Sequence, residues 1–111
     1  MTAVLDADRI RALNDILRRT LSGGTLVLTP GIVSLGRERQ QVVLAAIAAF
    51  EAFDADNDPY REHDFGALDA AGERVFFKID YYDRSGCYAS PDPADSSVTR
   101  RVLTVMLADE Y

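Results

Sequence analysis

From Arg74 to Tyr82 the chain alternates so strictly that one local geometry fits it. Val75, Phe77, Ile79 and Tyr81 fall on one face of an extended strand, and Phe76, Lys78, Asp80 and Tyr82 on the other. A strand of this length must pair and must bury its apolar face, so the chain is committed to a sheet with at least one covered side. Residues 65–69 form the preceding arm of a hairpin, and 70–73, with Gly72, form its turn. The covering layer is read from two helical stripes. Ile10, Leu13, Ile16, Leu17 and Leu21 follow the N-cap oxygens of Asp6 and Asp8, Arg18 and Arg19 suit the negative helix end, and Gly23-Gly24 stops the helix near residue 21. A second helix starts near Arg37 and carries Val42, Val43, Ala46, Ile47, Phe50 and Phe53.

Thr25–Thr29 is a short β-rich run closed by Pro30-Gly31, a turn dipeptide. Residues 98–107 fit a helix by the spacing of Val98, Val102, Val105 and Met106, but their β-branched content favours a strand. The expected architecture is α+β: a small antiparallel sheet of three to four strands with two helices packed on one face. A length of 111 residues and a hydrophobic fraction of 48% suit a single domain spanning 1–111 with one core.

Charge and cysteine content exclude several chemistries. Eighteen acidic against 12 basic residues give a net charge of −6, which opposes direct nucleic-acid binding and attraction to anionic lipid. Arg100 and Arg101 point to opposite faces of a strand and make no basic patch. Cys87 is the only cysteine, so neither an internal disulfide nor a cysteine zinc cluster can form. The start of the chain lacks the features of a signal peptide, and the apolar run 42–50 is too short to cross a bilayer. A cytoplasmic protein without membrane association is expected.

Asp54-x-Asp56-x-Asp58 opens like a calcium loop, but Pro59 stands where glycine is needed and Phe65 where a bidentate glutamate is needed. His63 is the only histidine, which removes every multi-histidine metal centre within one chain. Asp58, Glu62, Asp64, Asp80 and Asp83 retain the chemistry of a magnesium or manganese site. Cys87, Ser85 and Ser90 lie in no nucleophile pattern beside His63. The simplest reading assigns no catalytic residue, no metal and no cofactor, with the aspartates capping turns, the tyrosines covering a sheet edge and Lys78 pairing across the hairpin.

Four ordered blocks carry a resemblance. They are Asn57-Asp58-Pro59-Tyr60-Arg61-Glu62-His63-Asp64-Phe65-Gly66, Lys78-Ile79-Asp80-Tyr81-Tyr82-Asp83, Ser90-Pro91-Asp92-Pro93-Ala94-Asp95, and Arg101 to Tyr111, with Thr29-Pro30-Gly31 also matching. From about Ile16 to the C-terminus the chain resembles a small bacterial family known as domain of unknown function 3768. The resemblance implies that the polar blocks belong together and implies no activity; Cys87 falls in none of them.

The expected working surface is Asp58, Tyr60, Glu62, His63, Asp64, Lys78, Asp80 and Tyr82. A polar, tyrosine-rich cluster without a complete catalytic template points to a non-catalytic binding or regulatory module acting on a protein partner with a basic surface. Two alternatives stand beside it. One is a small metal-dependent hydrolase or nuclease using Asp58, Asp64 and Asp80 with His63 as base. The other is a DNA-mimicking inhibitor, whose carboxylates at alternate strand positions stand about 7 Å apart. The sequence leaves oligomeric state open.

Overall fold

The computed structural model describes residues 3–111, with side chains from Asp6 onward. Residues 1 and 2, on which the reading of the chain start partly rests, lie outside the described residues. The elements are α1 (Ala3–Thr20), β1 (Thr25–Leu28), α2 (Pro30–Val33), α3 (Arg37–Ala49), β2 (Phe65–Ala70), β3 (Glu73–Tyr82) and β4 (Arg100–Leu107). The fold is α+β, with the strands in the order β1-β4-β3-β2.

The hairpin expected from the alternation is present. β2 and β3 pair antiparallel from Phe65↔Lys78 to Ala70↔Glu73. Ala71 and Gly72 form the two-residue turn, both at positive φ (53° and 78°), the geometry that matches strand twist. Residues 100–107 form a strand, as their β-branched content favours, and this strand pairs antiparallel with β3. The sheet departs from an all-antiparallel one at β1, which runs parallel to β4 in the register Thr25↔Val102 to Leu28↔Val105. Gly24 permits the approach, because a Cβ there would sit 2.6 Å from the Arg101 carbonyl oxygen. Pro30-Gly31, expected as a turn, begins the single helical turn of α2 instead, with proline at a position whose N–H needs no partner.

Leu17, Ile32, Val43 and Ile47 from the three helices pack on Val75, Phe77, Ile79, Leu103 and Val105 from one side of the sheet. The helical stripe of α1 is rotated from the expected one. Ile16 is 50% exposed, whereas Asn14 and Arg18 are buried. Phe50 and Phe53, read as the end of the second helix, lie beyond Ala49 and form an aromatic group with Phe77. On the other side of the sheet Tyr111 packs on Phe76 and Phe65. Glu110 then clasps the strand ends, accepting from Thr29 Oγ1 (2.6 Å) and the backbone N–H groups of Gly31 and Leu107 (both 2.9 Å).

Gly66 faces the core on β2, where any side chain would run into the rings of Phe77 and Phe50. Gly66→Ala is therefore expected to destabilise the fold by about 1–3 kcal/mol through overpacking. Urea denaturation should show a lower midpoint with an unchanged m-value, and an unchanged midpoint would contradict this packing.

Candidate functional site

Between α3 and β2 the chain makes a loop whose carboxylates are turned on its own backbone. Asp54 Oδ1 accepts from the N–H groups of Asp56 (2.9 Å) and Asn57 (3.0 Å), and Asn57 returns Oδ1 to the Asp54 N–H (2.9 Å). Asp58 is buried, and its Oδ1 accepts from the N–H groups of Glu62 (3.0 Å) and His63 (3.1 Å). These bonds hold Arg61 and His63 at φ values of 60° and 57°, a region that non-glycine residues enter at a cost of about 1 kcal/mol or more each.

His63 is fixed on three sides. Its ring stacks on Phe53 at 3.8 Å, Nδ1 lies 2.9 Å from Asp15 Oδ1, and Nε2 lies 3.8 Å from Asp58 Oδ2. Asp15 is held in turn by Arg18 Nη2 at 2.9 Å. Burial works against the charge of Asp15, but the hydrogen bonds and positive charge from Arg18 and His63 prevail and set its carboxyl below the usual aspartate range. A carboxylate only accepts, so the Nδ1 hydrogen belongs to His63 and neutral imidazole leaves Nε2 as an acceptor. Arg18 is fully buried and anchors the assembly. Its Nη1 donates to the carbonyls of Ile47 (2.9 Å), Ala48 (3.1 Å) and Phe50 (2.7 Å), capping the C-terminal end of α3 with a cation.

A second polar group adjoins the first. Asn14 donates to Tyr81 Oη (2.8 Å) and to the Glu62 carbonyl (3.0 Å), Tyr81 donates to Glu62 Oε1 (2.8 Å), and Arg101 Nε donates to Asn14 Oδ1 (2.7 Å). Arg101 also donates to the Pro93 carbonyl and lies 5.1 Å over the Tyr81 ring. Burial raises the Tyr81 hydroxyl far above its ordinary value, with Glu62 adding to the effect and Asn14 opposing it, so the group remains a neutral donor.

The eight residues singled out in the sequence thus divide. Asp58, Glu62 and His63 sit together under the loop, with Tyr60 76% exposed beside them. Lys78, Asp80 and Tyr82 stand on the opposite face of β3, and Lys78 pairs with Asp80 on its own strand at 3.1 Å rather than across the hairpin. Asp64 lies at the sheet margin, its carbonyl accepting from the Ile79 N–H. Asn14, Asp15, Arg18, Tyr81 and Arg101 were missed. The available signal was Asn14, a polar residue on the line Ile10–Leu17 of the buried helix face. Cys87 is exposed, and Ser85 and Ser90 are bonded to Asp83 and Thr99. No group of three or more His, Cys, Asp or Glu side chains is placed to hold a metal ion among the described residues.

Two adjoining clefts open here. One, of about 440 Å³, is lined by Phe53, Asp54, Asp58 and His63; the other, of about 410 Å³, by Asp6, Asp8, Tyr60 and Glu62. Arg11 and Arg61 form the wall between them, joined by a 3.0 Å bond from Arg11 Nη1 to the Arg61 carbonyl, while Arg11 Nη2 is paired with Asp8 at 2.7 Å.

Fold and site define a small α+β domain with a mixed sheet, helices on one face and a buried polar relay under an acidic loop. The chain belongs to the family described as protein of unknown function DUF3768, whose model matches residues 28–110. That match starts later than the resemblance from Ile16, leaving Asn14, Asp15 and Arg18 of α1 outside it. Neither a curated protein nor a solved structure gave a match. Among the described residues no helix is long and apolar enough to cross a membrane.

Asp64 supplies a test of the electrostatics. Burial, then the charges of Glu62, Asp58 and Asp80, raise its carboxyl above the usual range, against the hydrogen bond to its own backbone. An acid raised in the folded state supports folding at low pH, and that support is lost as pH rises through the folded value. Asp64→Asn is expected to raise Tm at neutral pH, with the advantage shrinking as the pH falls through the raised value and gone below the ordinary aspartate range. A loss of Tm at neutral pH would contradict this assignment.

Proposed function

We propose that the chain is a non-catalytic cytoplasmic binding module that docks on a protein partner with a basic surface through the two clefts around Tyr60 and His63. The observation that carries this reading is the pair of adjoining clefts beside an aromatic side chain that is 76% exposed. Exposed tyrosines at the centre of a contact surface anchor interfaces, because they bring large area at low conformational cost. Asp6, Asp8, Asp54 and Glu62 line the clefts, and the one arginine with a carboxylate partner there, Arg11, is already neutralised. The balance of charge favours a basic partner. The single free cysteine, Cys87, suits a reducing compartment.

The same geometry weighs on the alternatives. Asp58 Oδ1 is spent on backbone amides, and Asp80 on Lys78 of its own strand, so the carboxylates of the metal-hydrolase reading form no metal-holding group among the described residues. Surface acids interleave with bases as Arg19–Glu51, Arg39–Glu73 and Arg74–Asp69, an arrangement that suits protein docking better than mimicry of a phosphate row.

A photo-reactive phenylalanine analogue replacing Tyr60, with one replacing the equally exposed Tyr88 as control, tests the reading in extract from the native cell. Position 60 is expected to give a site-specific adduct with one protein through a Lys- or Arg-rich peptide, and added salt should reduce its yield. Absence of any adduct specific to position 60, or attachment to an acidic peptide, would contradict it.

A further inference from the structure

One of the two clefts presents a pair of hydrogen-bond acceptors that no donor among the described residues uses. Asp58 Oδ1 takes two backbone amides, whereas Oδ2 has no hydrogen-bond donor among the described residues. Beside it, 3.8 Å away, is His63 Nε2, an acceptor when the ring is neutral, because Nδ1 then gives the single ring hydrogen to Asp15. Two acceptors at that separation cannot satisfy each other while the imidazole is neutral. A group carrying two or more N–H donors can satisfy both.

Resting on the docking reading above, we infer that this cleft is a socket for one cationic side chain of the partner, a lysine ammonium or an arginine guanidinium. Such a head donates to Asp58 Oδ2 and His63 Nε2, both on residues that line the cleft. The surrounding cations do not fill this place. On α1, Arg11 is paired with Asp8, and Arg18 is spent on Asp15 and the α3 carbonyls. On the loop, Asp54 turns Oδ1 onto its own backbone, and Arg61 forms the outer wall as an exposed residue. A carboxylate oxygen that faces a cleft takes its donor from whatever enters, and a cation is the strongest donor available.

The inference fixes a pH dependence. Protonation of His63 turns Nε2 from an acceptor into a charged donor, which repels a second cation and satisfies Asp58 Oδ2 internally. The socket is open while His63 is neutral and closes as it protonates.

Because His63 is the only histidine, its ring Cε1–H gives a single NMR signal that reports on the cleft directly. The probes are N-acetyl-arginine amide and N-acetyl-lysine amide, with N-acetyl-glutamate amide and inorganic phosphate as controls. A basic probe is expected to move the His63 signal saturably, with a dissociation constant on the order of millimolar. Asp58→Asn keeps an oxygen for the two backbone amides and removes the charge; binding should weaken at least about tenfold, the effect of losing one charge-assisted bond. In the unmodified protein, binding should weaken once acid protonates His63. The inference is overturned if glutamate or phosphate moves the signal more than the basic probes. Binding unchanged in a folded Asp58→Asn protein, or held or tightened on acidification, also overturns it. A Lys/Arg-rich peptide that perturbs the Tyr60 amide but leaves His63 unmoved would remove the socket and keep the docking surface. No binding of that peptide anywhere would remove both.

Discussion

The site depends on one buried cation. Arg18 leaves α1, crosses the core and ends on three carbonyls at the finish of α3, while its other terminal nitrogen holds Asp15. A buried guanidinium is tolerated because it replaces water with a carboxylate and a helix end. The arrangement is not complete, since Arg18 Nε is buried without an acceptor among the described residues. Through Asp15 the same cation fixes His63, and through His63 and Asp58 it fixes the loop that leads into β2. Two helices, a loop and a sheet edge are thus tied by a single chain of charge-assisted contacts.

That chain explains why the loop tolerates two non-glycine residues at positive φ. Asp58 gives one oxygen to both the Glu62 and His63 amides, and Phe53 stacks on the imidazole, so the strained geometry is determined from several directions. Strain held in this way keeps Nε2 and Asp58 Oδ2 in place, which is the preorganisation that a recognition site needs. The neighbouring Asn14–Tyr81–Glu62–Arg101 network does the same work on the sheet side, joining α1 to β3 and β4.

Much of the fold was legible because its signals are local. The period-two run from Val75 to Tyr82, Gly72 in the hairpin turn and Gly23-Gly24 after α1 each specify geometry within a few residues. The parallel pairing of β1 with β4 was not legible, because it depends on where Gly24 meets the Arg101 carbonyl, a contact between distant segments. The location of the site was half legible for the same reason. Asp58, Tyr60, Glu62 and His63 are close in sequence and in space, whereas Lys78, Asp80 and Tyr82 belong to a strand face turned away from them. Arg18 reads as a charge suited to the end of its own helix and Asp15 carries no signal, since nothing in α1 alone announces that the end of α3 lies within reach. The family match starting at residue 28 does not include them.

If Arg18 holds His63 through Asp15, the two residues must be energetically coupled although they do not touch. A double-mutant cycle on unfolding free energy, with Arg18→Met, His63→Gln and the pair, measures that coupling directly. A coupling energy of about 1 kcal/mol is expected for residues in one charged network. Additive effects, within about 0.3 kcal/mol, would show that Arg18 caps α3 without positioning the site.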